Sequence, residues 1–192
     1  MQQINLFATP IWIFDTDENR LGNREILDFM QNGKFGAPSK NQRSNRIGAR
    51  YEFDFMKDLP KSITQYFIQC LKQVIKDDFL ISIESWINLH GYGGYNISHI
   101  HPGYLLSGVY YVKAGVGSGS LVLEDPRPQT RYAANHVFLK HIDPNSEIKI
   151  TPKEGKLILF PSWLSHRVTE NQDTEDRVSI SINVHAHKRP PG

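Results

Sequence analysis

The sequence has little cysteine, little net charge and no long apolar run. Its one cysteine, Cys70, excludes an internal disulfide. Because Cys70 lies on the apolar side of a predicted helix, we expect a buried thiol. A formal net charge of +2 is too small to indicate a nucleic acid or an anionic membrane as the main partner. No segment approaches membrane-spanning length, and the N-terminus lacks the basic region of a signal peptide, so we expect a soluble, cytoplasmic protein.

The 192 residues fit a single domain. We expect it to contain an N-terminal strand and supporting helices over residues 1–80, followed by a β-rich core over residues 81–187. Residues 4–14 predict a short strand that Pro10 interrupts. No internal repeat or low-complexity segment is present, so the core is not a repeat array.

Apolar spacing predicts two helices, at 18–31 and at 58–79. The second has the stronger apolar stripe, with Asp58 as its N-cap and Pro60 in its first turn. Between the helices, the basic, glycine-containing segment 33–50 predicts a solvated loop. A flap facing the substrate is the alternative.

After residue 80 the sequence changes to short β-rich runs separated by turn residues. These runs predict strands at 81–90, 95–101, 105–113, 119–124, 136–142, 147–151, 156–160, 165–169 and 176–186. Many short strands indicate a sandwich or a barrel. The glycine-rich segment 115–119 predicts a hairpin loop, because no helix follows it. The excursion 126–150 favours a solvated loop, with a lid for an anionic substrate as the alternative.

Three histidines carry the most information about function. His99 and His101 share one side of a predicted strand, because side chains alternate with period two. His166 begins a later strand, after a buried apolar run and the turn 161–163. In a barrel these two strand–turn units can face each other, so that the three imidazoles meet at one metal ion. Such an open site suits iron(II), with zinc, copper and nickel also possible.

The remaining histidines lack this support. A lone histidine is more often a structural residue than a ligand, so we interpret His90, His136 and His141 as surface or core residues. His185 and His187 form a second His-x-His pair. They lie beside the basic, proline-containing end of the chain, which predicts a solvated terminus.

The final strand alternates without a break between apolar and polar residues. Its apolar side consists of Val178, Ile180, Ile182 and Val184, and its polar side of Arg177, Ser179, Ser181 and Asn183. The polar side faces either water or the interior of a barrel. In the second case Arg177 is a buried cation that can hold a carboxylate, with Ser179 as a nearby hydroxyl donor. The position of this strand after His166 favours the interior.

At these residues the sequence resembles the 2-oxoglutarate- and iron(II)-dependent oxygenases, in particular a group from bacteria and their viruses. The resemblance is carried by LFATPIW at the start and by Trp86-Ile-Asn88, His99-Ile-His101-Pro102, Leu106–Val112, Asp125-Pro-Arg127, Gly155–His166 and Arg177–Asn183. It implies a mainly β fold with flanking helices (α+β). The implied core is a double-stranded β-helix, or jelly roll, with the N-terminal helices packed on the outer face of a sheet.

The resemblance also implies roles for particular residues. His99 and His166 would bind Fe(II), Arg177 and Ser179 would hold the carboxylate of 2-oxoglutarate, and Asn88 would contribute to the cofactor site. The implied reaction uses dioxygen to oxidise a small-molecule or peptidyl substrate, as in a hydroxylase, and releases succinate and carbon dioxide. It implies neither a nucleic acid nor a membrane partner.

The sequence departs from the family pattern at position 101, where a histidine replaces an aspartate or glutamate. Either His101 is the third metal ligand or a carboxylate comes from elsewhere, with Asp125 the first candidate. We favour His101, because residues i and i+2 of a strand share a face.

Two other classes of protein remain alternatives. A cupin dioxygenase or isomerase has a similar spacing of glycine and histidine, but the glutamate it requires is missing, since Leu105 and Leu106 stand there. A noncatalytic β-sandwich with incidental histidines is the second alternative.

Overall fold

The computed structural model describes residues 7–40, 42–127 and 146–188. Within these residues there are two helices, α1 (Arg20–Gln31) and α2 (Lys61–Val74), and 11 strands. The strands are β1 (Trp12–Phe14), β2 (Asn45–Arg46), β3 (Ala49–Glu52), β4 (Phe79–His90), β5 (Tyr95–His99), β6 (Leu106–Lys113), β7 (Leu121–Glu124), β8 (Glu147–Ile150), β9 (Leu157–Pro161), β10 (His166–Val168) and β11 (Arg177–Lys188). Neither of the two helices is long and apolar enough to cross a membrane.

The strands form two antiparallel sheets. The larger sheet has the order β1-β9-β6-β11-β4-β3, and the smaller sheet has the order β2-β5-β10-β7-β8. β11 pairs with β4 along its whole length and with β6 on its other side. Two antiparallel sheets with a few flanking helices confirm the predicted double-stranded β-helix.

Both helices pack on the outer face of the larger sheet, as predicted. Ile26 of α1 and Phe67 of α2 are fully buried in the same apolar cluster as Ile180 and Ile182 of β11. Cys70 is also buried there as a free thiol. The apolar side of β11 therefore faces the helices, which leaves its polar side for the space between the sheets.

The prediction for the second helix was too long at both ends. Pro60 occupies the N-cap position of α2, and Asp58 does not cap it. The Asp58 carboxylate instead accepts the backbone N–H of Asp54 at 2.8 Å, which closes a turn before the helix. The helix ends at Val74, because Ile75 is already in extended conformation on the way to β4.

The predicted strands after residue 80 agree with the structure to within two residues at each end. The exception is 136–142, which lies outside the described residues together with His136, His141 and most of the predicted loop 126–150. The N-terminal strand is shorter than predicted, since β1 begins at Trp12.

Two loop predictions need correction. Most of segment 33–50 is exposed or half-buried, as predicted for a solvated loop, but the segment also contains β2 and the start of β3, and Arg50 is buried within it. Short strands of two to four residues carry too little periodicity to be recognised in sequence. Segment 115–119 is not a hairpin loop, because β6 and β7 belong to different sheets and the segment crosses between them.

Candidate active site

Three imidazoles meet between the two sheets. His99 ends β5, His166 begins β10, and the two residues are direct cross-strand partners. His101 lies two residues beyond the end of β5. The ring centroid of His99 is 4.3 Å from that of His166 and 4.9 Å from that of His101. The centroids of His101 and His166 are 5.2 Å apart. One ring nitrogen from each histidine lies within 4.8 Å of the other two, so this group has the geometry to hold a metal ion.

Backbone hydrogen bonds set the orientation of two of these rings. His99 Nδ1 donates to the Ile97 carbonyl at 2.7 Å, and His166 Nδ1 donates to the Leu164 carbonyl at 2.9 Å. A carbonyl oxygen can only accept, so the proton is on Nδ1 and Nε2 keeps its lone pair. This arrangement is typical of metal-binding histidines. Nε2 of His99 lies 3.2 Å from the hydroxyl of Ser44.

Burial keeps all three imidazoles neutral. Loss of solvent lowers the pKa of His166 to about 3 and that of His101 to about 4, and the charge of His99 adds to both shifts. Burial also lowers the pKa of His99. Because only neutral imidazole has a free lone pair for a metal, the group is ready to bind a cation at neutral pH.

Acid is expected to destabilise the metal-free protein. The unfolded chain gains a proton on His166 near its ordinary pKa of 6.5, whereas the folded chain gains it only near about 3. The free energy of unfolding should therefore fall as the pH decreases through this window, by roughly 1.4 kcal/mol per pH unit for each such histidine. Urea denaturation between pH 7 and pH 4 measures this slope. H166N should show a shallower dependence of the free energy of unfolding on pH. Equal slopes in H166N and the parent protein would contradict a low pKa for His166.

A buried guanidinium lies at the other end of the same space. Arg177 is 1% exposed, and its Nη1 donates to the Ser118 and Thr169 carbonyls. Its Nη2 has no hydrogen-bond partner among the described residues. Burial lowers the pKa of Arg177 to about 10, which still leaves it charged at neutral pH. Gly119 has φ +80°, and a Cβ there would lie 2.7 Å from Arg177 Nη1, so only glycine fits behind this guanidinium.

Tyr111 is a polar residue of this space that the sequence reasoning did not identify. Its hydroxyl is buried and has no hydrogen-bond partner in the described part of the chain. Burial raises its pKa to about 12, so it remains a proton donor. In sequence Tyr111 looks like a core residue of an apolar strand. The available signal was its alternation with Ser107 and Val109, since these three positions share the inner face of β6.

The residues predicted for the site line one cavity between the sheets. They are His99, His101, His166, Arg177, Ser179 and Asn88, and Tyr111 lines the cavity with them. Ser179 is the cross-strand partner of both Asn88 and Tyr111, which places these three residues in one row of the larger sheet. The Asn88 amide donates to the Ser181 hydroxyl at 3.0 Å. The polar side of β11 therefore faces the interior, the reading favoured by its position after His166.

Other sequence candidates lie apart from the histidine group. The Asp125 carboxylate pairs with Arg127 at 2.7 Å and is absent from the group of potential metal ligands. His90 is buried, so of the two predicted environments, surface or core, it has the second. His187 is exposed near the end of β11, in agreement with the predicted solvated terminus. His185 is half-buried, because its ring packs against Tyr104.

The fold is that of a jelly-roll protein with a cavity between its sheets that is lined by both polar and apolar side chains. The family described as "Putative 2OG-Fe(II) oxygenase" matches residues 84–183, which is more than half of the chain. The chain therefore belongs to this family. It is an oxygenase that depends on iron(II) and 2-oxoglutarate, and this membership decides against both the cupin and the noncatalytic alternative.

Solved structures share the fold at low sequence identity. A prolyl-4-hydroxylase from Pseudomonas putida is 15% identical, with 96% of each chain covered and a TM-score of 0.63. A prolyl hydroxylase from Trichoplax adhaerens, in complex with a hypoxia inducible factor peptide fragment, is 18% identical over 94% of this chain and 85% of its own, with a TM-score of 0.63. HygX from Streptomyces hygroscopicus, with nickel and 2-oxoglutarate bound, is 10% identical over 92% and 83%, with a TM-score of 0.57. No curated protein matches the chain in sequence.

Proposed function

We propose that His99, His101 and His166 bind the Fe(II) of this oxygenase, and that Arg177 and Ser179 bind its 2-oxoglutarate. The observation that carries the proposal is one cavity with three neutral imidazoles and, facing them, unpaired buried donors. Buried polar groups are seldom left without partners, so such donors indicate a ligand.

An all-histidine set is the simplest choice for the metal. The ring nitrogens are already within reach of one another, and burial keeps them unprotonated. Asp125, the carboxylate alternative, accepts hydrogen bonds from Nε and Nη2 of Arg127 and from its backbone N–H. Moving Asp125 to the metal would break this pairing, whereas His101 needs no such change.

The opposite end of the cavity has the donors that a carboxylate requires. Arg177 Nη2 and the Tyr111 hydroxyl are both buried and unpaired in the described structure. A carboxylate has lone pairs for both, and charge-assisted hydrogen bonds to a guanidinium are among the strongest in proteins. Ser179 and Asn88 lie in the same row of the larger sheet as Tyr111, and Ser179 is two residues from Arg177 on β11. The residues present therefore fit 2-oxoglutarate.

In this arrangement the protein binds and orients, and the cofactors supply the reactivity. Fe(II) with 2-oxoglutarate supplies the activation of dioxygen, with release of succinate and carbon dioxide. The three imidazoles would hold the metal and, as only three protein ligands, would leave coordination positions open for 2-oxoglutarate and dioxygen. The apolar residues Leu121 and Phe160 line the cavity and exclude water from it.

The substrate belongs to one of two classes, a small molecule or a peptidyl residue. Relatives in fold support both: one was solved with a peptide fragment and another with hygromycin B. The small net charge supports a partner other than nucleic acid. We extend the proposal to a cytoplasmic location, because the single buried cysteine suits a reducing compartment.

Anaerobic titration with Fe(II) and 2-oxoglutarate is the direct test of this proposal. We expect one Fe(II) per chain, a metal-to-keto-acid charge-transfer band, and succinate formation after dioxygen is admitted. H101A should lose the band, because a metal ligand is gone. D125N is the matched control and should keep the band.

Each result of this titration is informative. If D125N loses the charge-transfer band and H101A keeps it, the third metal ligand is Asp125 and not His101. Stoichiometric iron without any charge-transfer band in the parent protein would contradict the assignment of Arg177 and Ser179 to 2-oxoglutarate.

A further inference from the structure

His101 is held differently from the other two histidines. The rings of His99 and His166 each donate to a backbone carbonyl, and no such bond is found for the ring of His101 among the described residues. His101 also lies beyond the end of β5, in a segment tied to the β9–β10 turn by its own backbone N–H, which donates to the Ser162 carbonyl at 2.9 Å. The backbone is therefore fixed, but no hydrogen bond fixes the ring.

A stack of side chains contacts this ring instead. The ring of Trp86 is stacked on His101, with centroids 5.9 Å apart and an angle of 26° between the planes. The guanidinium carbon of Arg50 lies over the Trp86 ring, 4.1 Å from its centroid. Trp86 and Arg50 are 6% and 4% exposed, so both contacts are shielded from water.

The strands that carry the stack keep it in place. Trp86 is on β4 in the larger sheet, where its cross-strand partners are Glu52 of β3 and Ser181 of β11. Arg50 is also on β3, and its Nε donates to Glu52 at 3.4 Å. A desolvated guanidinium is attracted to the face of an indole, so the Arg50 contact restrains the Trp86 ring.

We propose that Trp86, held in place by Arg50, positions the His101 imidazole for metal binding. This inference rests on the proposed function, since it takes His101 as a metal ligand. Trp86 and Arg50 are positioning residues, and they act through His101 without touching the metal. The stack replaces the ring hydrogen bond that His99 and His166 have and His101 lacks.

The physical reason is the population of the competent rotamer. A ligand that spends only a fraction of its time in the binding orientation weakens the apparent affinity by that fraction. Without the indole, the His101 ring loses its stacking partner on the larger sheet. Partners that orient a metal ligand typically contribute about 10- to 100-fold to metal affinity, and we expect an effect of this size.

Cobalt(II) titration of the metal-free protein, without 2-oxoglutarate, tests the proposal independently of turnover. The visible absorption of bound Co(II) reports both affinity and ligand set. W86L should bind Co(II) about 10- to 100-fold more weakly than the parent, whereas W86F, which keeps a flat ring, should lose less than about 10-fold. R50M should lie between the parent and W86L.

F67L is the matched control. Phe67 of α2 is a fully buried aromatic residue that packs against Tyr110, with ring centroids 5.3 Å apart, in the apolar cluster beneath the helices. Because Phe67 lies in that cluster and not in the cavity lining, F67L should bind Co(II) within about threefold of the parent. The thermal melting temperature of each variant separates loss of folding from loss of metal binding. W86M is the replacement variant if W86L fails to fold.

The outcomes separate the two levels of the argument. If the parent protein fails to bind Co(II) through the three histidines, the proposed function itself is wrong. If the parent binds Co(II) and a folded W86L or W86M binds it equally well, only the positioning role is overturned. Equal losses in F67L and W86L would also overturn it, since the loss of a buried aromatic side chain anywhere in the fold would then explain the result.

Discussion

Replacing His166 with alanine is expected to lower metal affinity by more than about 1,000-fold and to abolish succinate formation. Loss of a ligand should exceed the roughly 10- to 100-fold effect of losing a partner that only orients one. His166 is buried between β5 and β7, so water has little access to the vacated position. Metal content after dialysis, together with Fe(II) affinity, measures the effect.

H185A is the control for this substitution. His185 is also a histidine on a strand, but it lies outside the metal-binding group and packs against Tyr104. We expect H185A to retain the parental metal content and succinate formation. An H166A protein that is folded and still holds one iron per chain would refute the proposed metal site.

Replacing Arg177 with methionine is expected to weaken 2-oxoglutarate binding by about 2–4 kcal/mol, roughly 30- to 1,000-fold. The guanidinium is the only cation among the residues named for the cosubstrate, and its Nη2 is the unpaired donor. Metal binding should stay near the parental level, because the three imidazoles do not depend on Arg177. Titration of the charge-transfer band with 2-oxoglutarate at saturating Fe(II) measures the loss.

Y111F should weaken 2-oxoglutarate binding less than R177M does, and it should raise, not lower, the stability of the metal-free protein. The variant loses one hydrogen bond to the carboxylate, about 1 kcal/mol or roughly fivefold in affinity for 2-oxoglutarate. It also removes a buried hydroxyl that has no hydrogen-bond partner among the described residues, so the metal-free protein should become more stable. Unchanged 2-oxoglutarate affinity in both R177M and Y111F would exclude this end of the cavity as the cosubstrate site.

Local patterns in the sequence were sufficient to predict which residues face the cavity at much of the candidate site. The alternation along β11 places Arg177 and Ser179 on one face, and the His-x-His spacing brings His99 and His101 to the same side. Both inferences need only the two-residue period of a strand. The apolar stripe of α2 likewise identified its packing face, although its ends were wrong.

The features that sequence reasoning missed depend on contacts between distant segments. Arg50 is buried only because β3 pairs with β4, and segment 33–50 taken alone looks solvated. Tyr111 is a site residue only because β6 lies beside β11. The segment 115–119 connects two sheets, which no local turn signal can distinguish from a hairpin. Such pairings bring together residues that are far apart in the chain, and a single sequence does not record them.

The two halves of the site belong to different layers of the protein. The histidines come from β5, β10 and the residues just after β5, in the smaller sheet, whereas Arg177, Asn88 and Tyr111 come from the larger one. A dicarboxylate that contacts both the histidine-bound metal and Arg177 would link the smaller sheet to the larger one across the interior of the barrel. Binding of the dicarboxylate should then slow amide hydrogen exchange in both sheets at the same time.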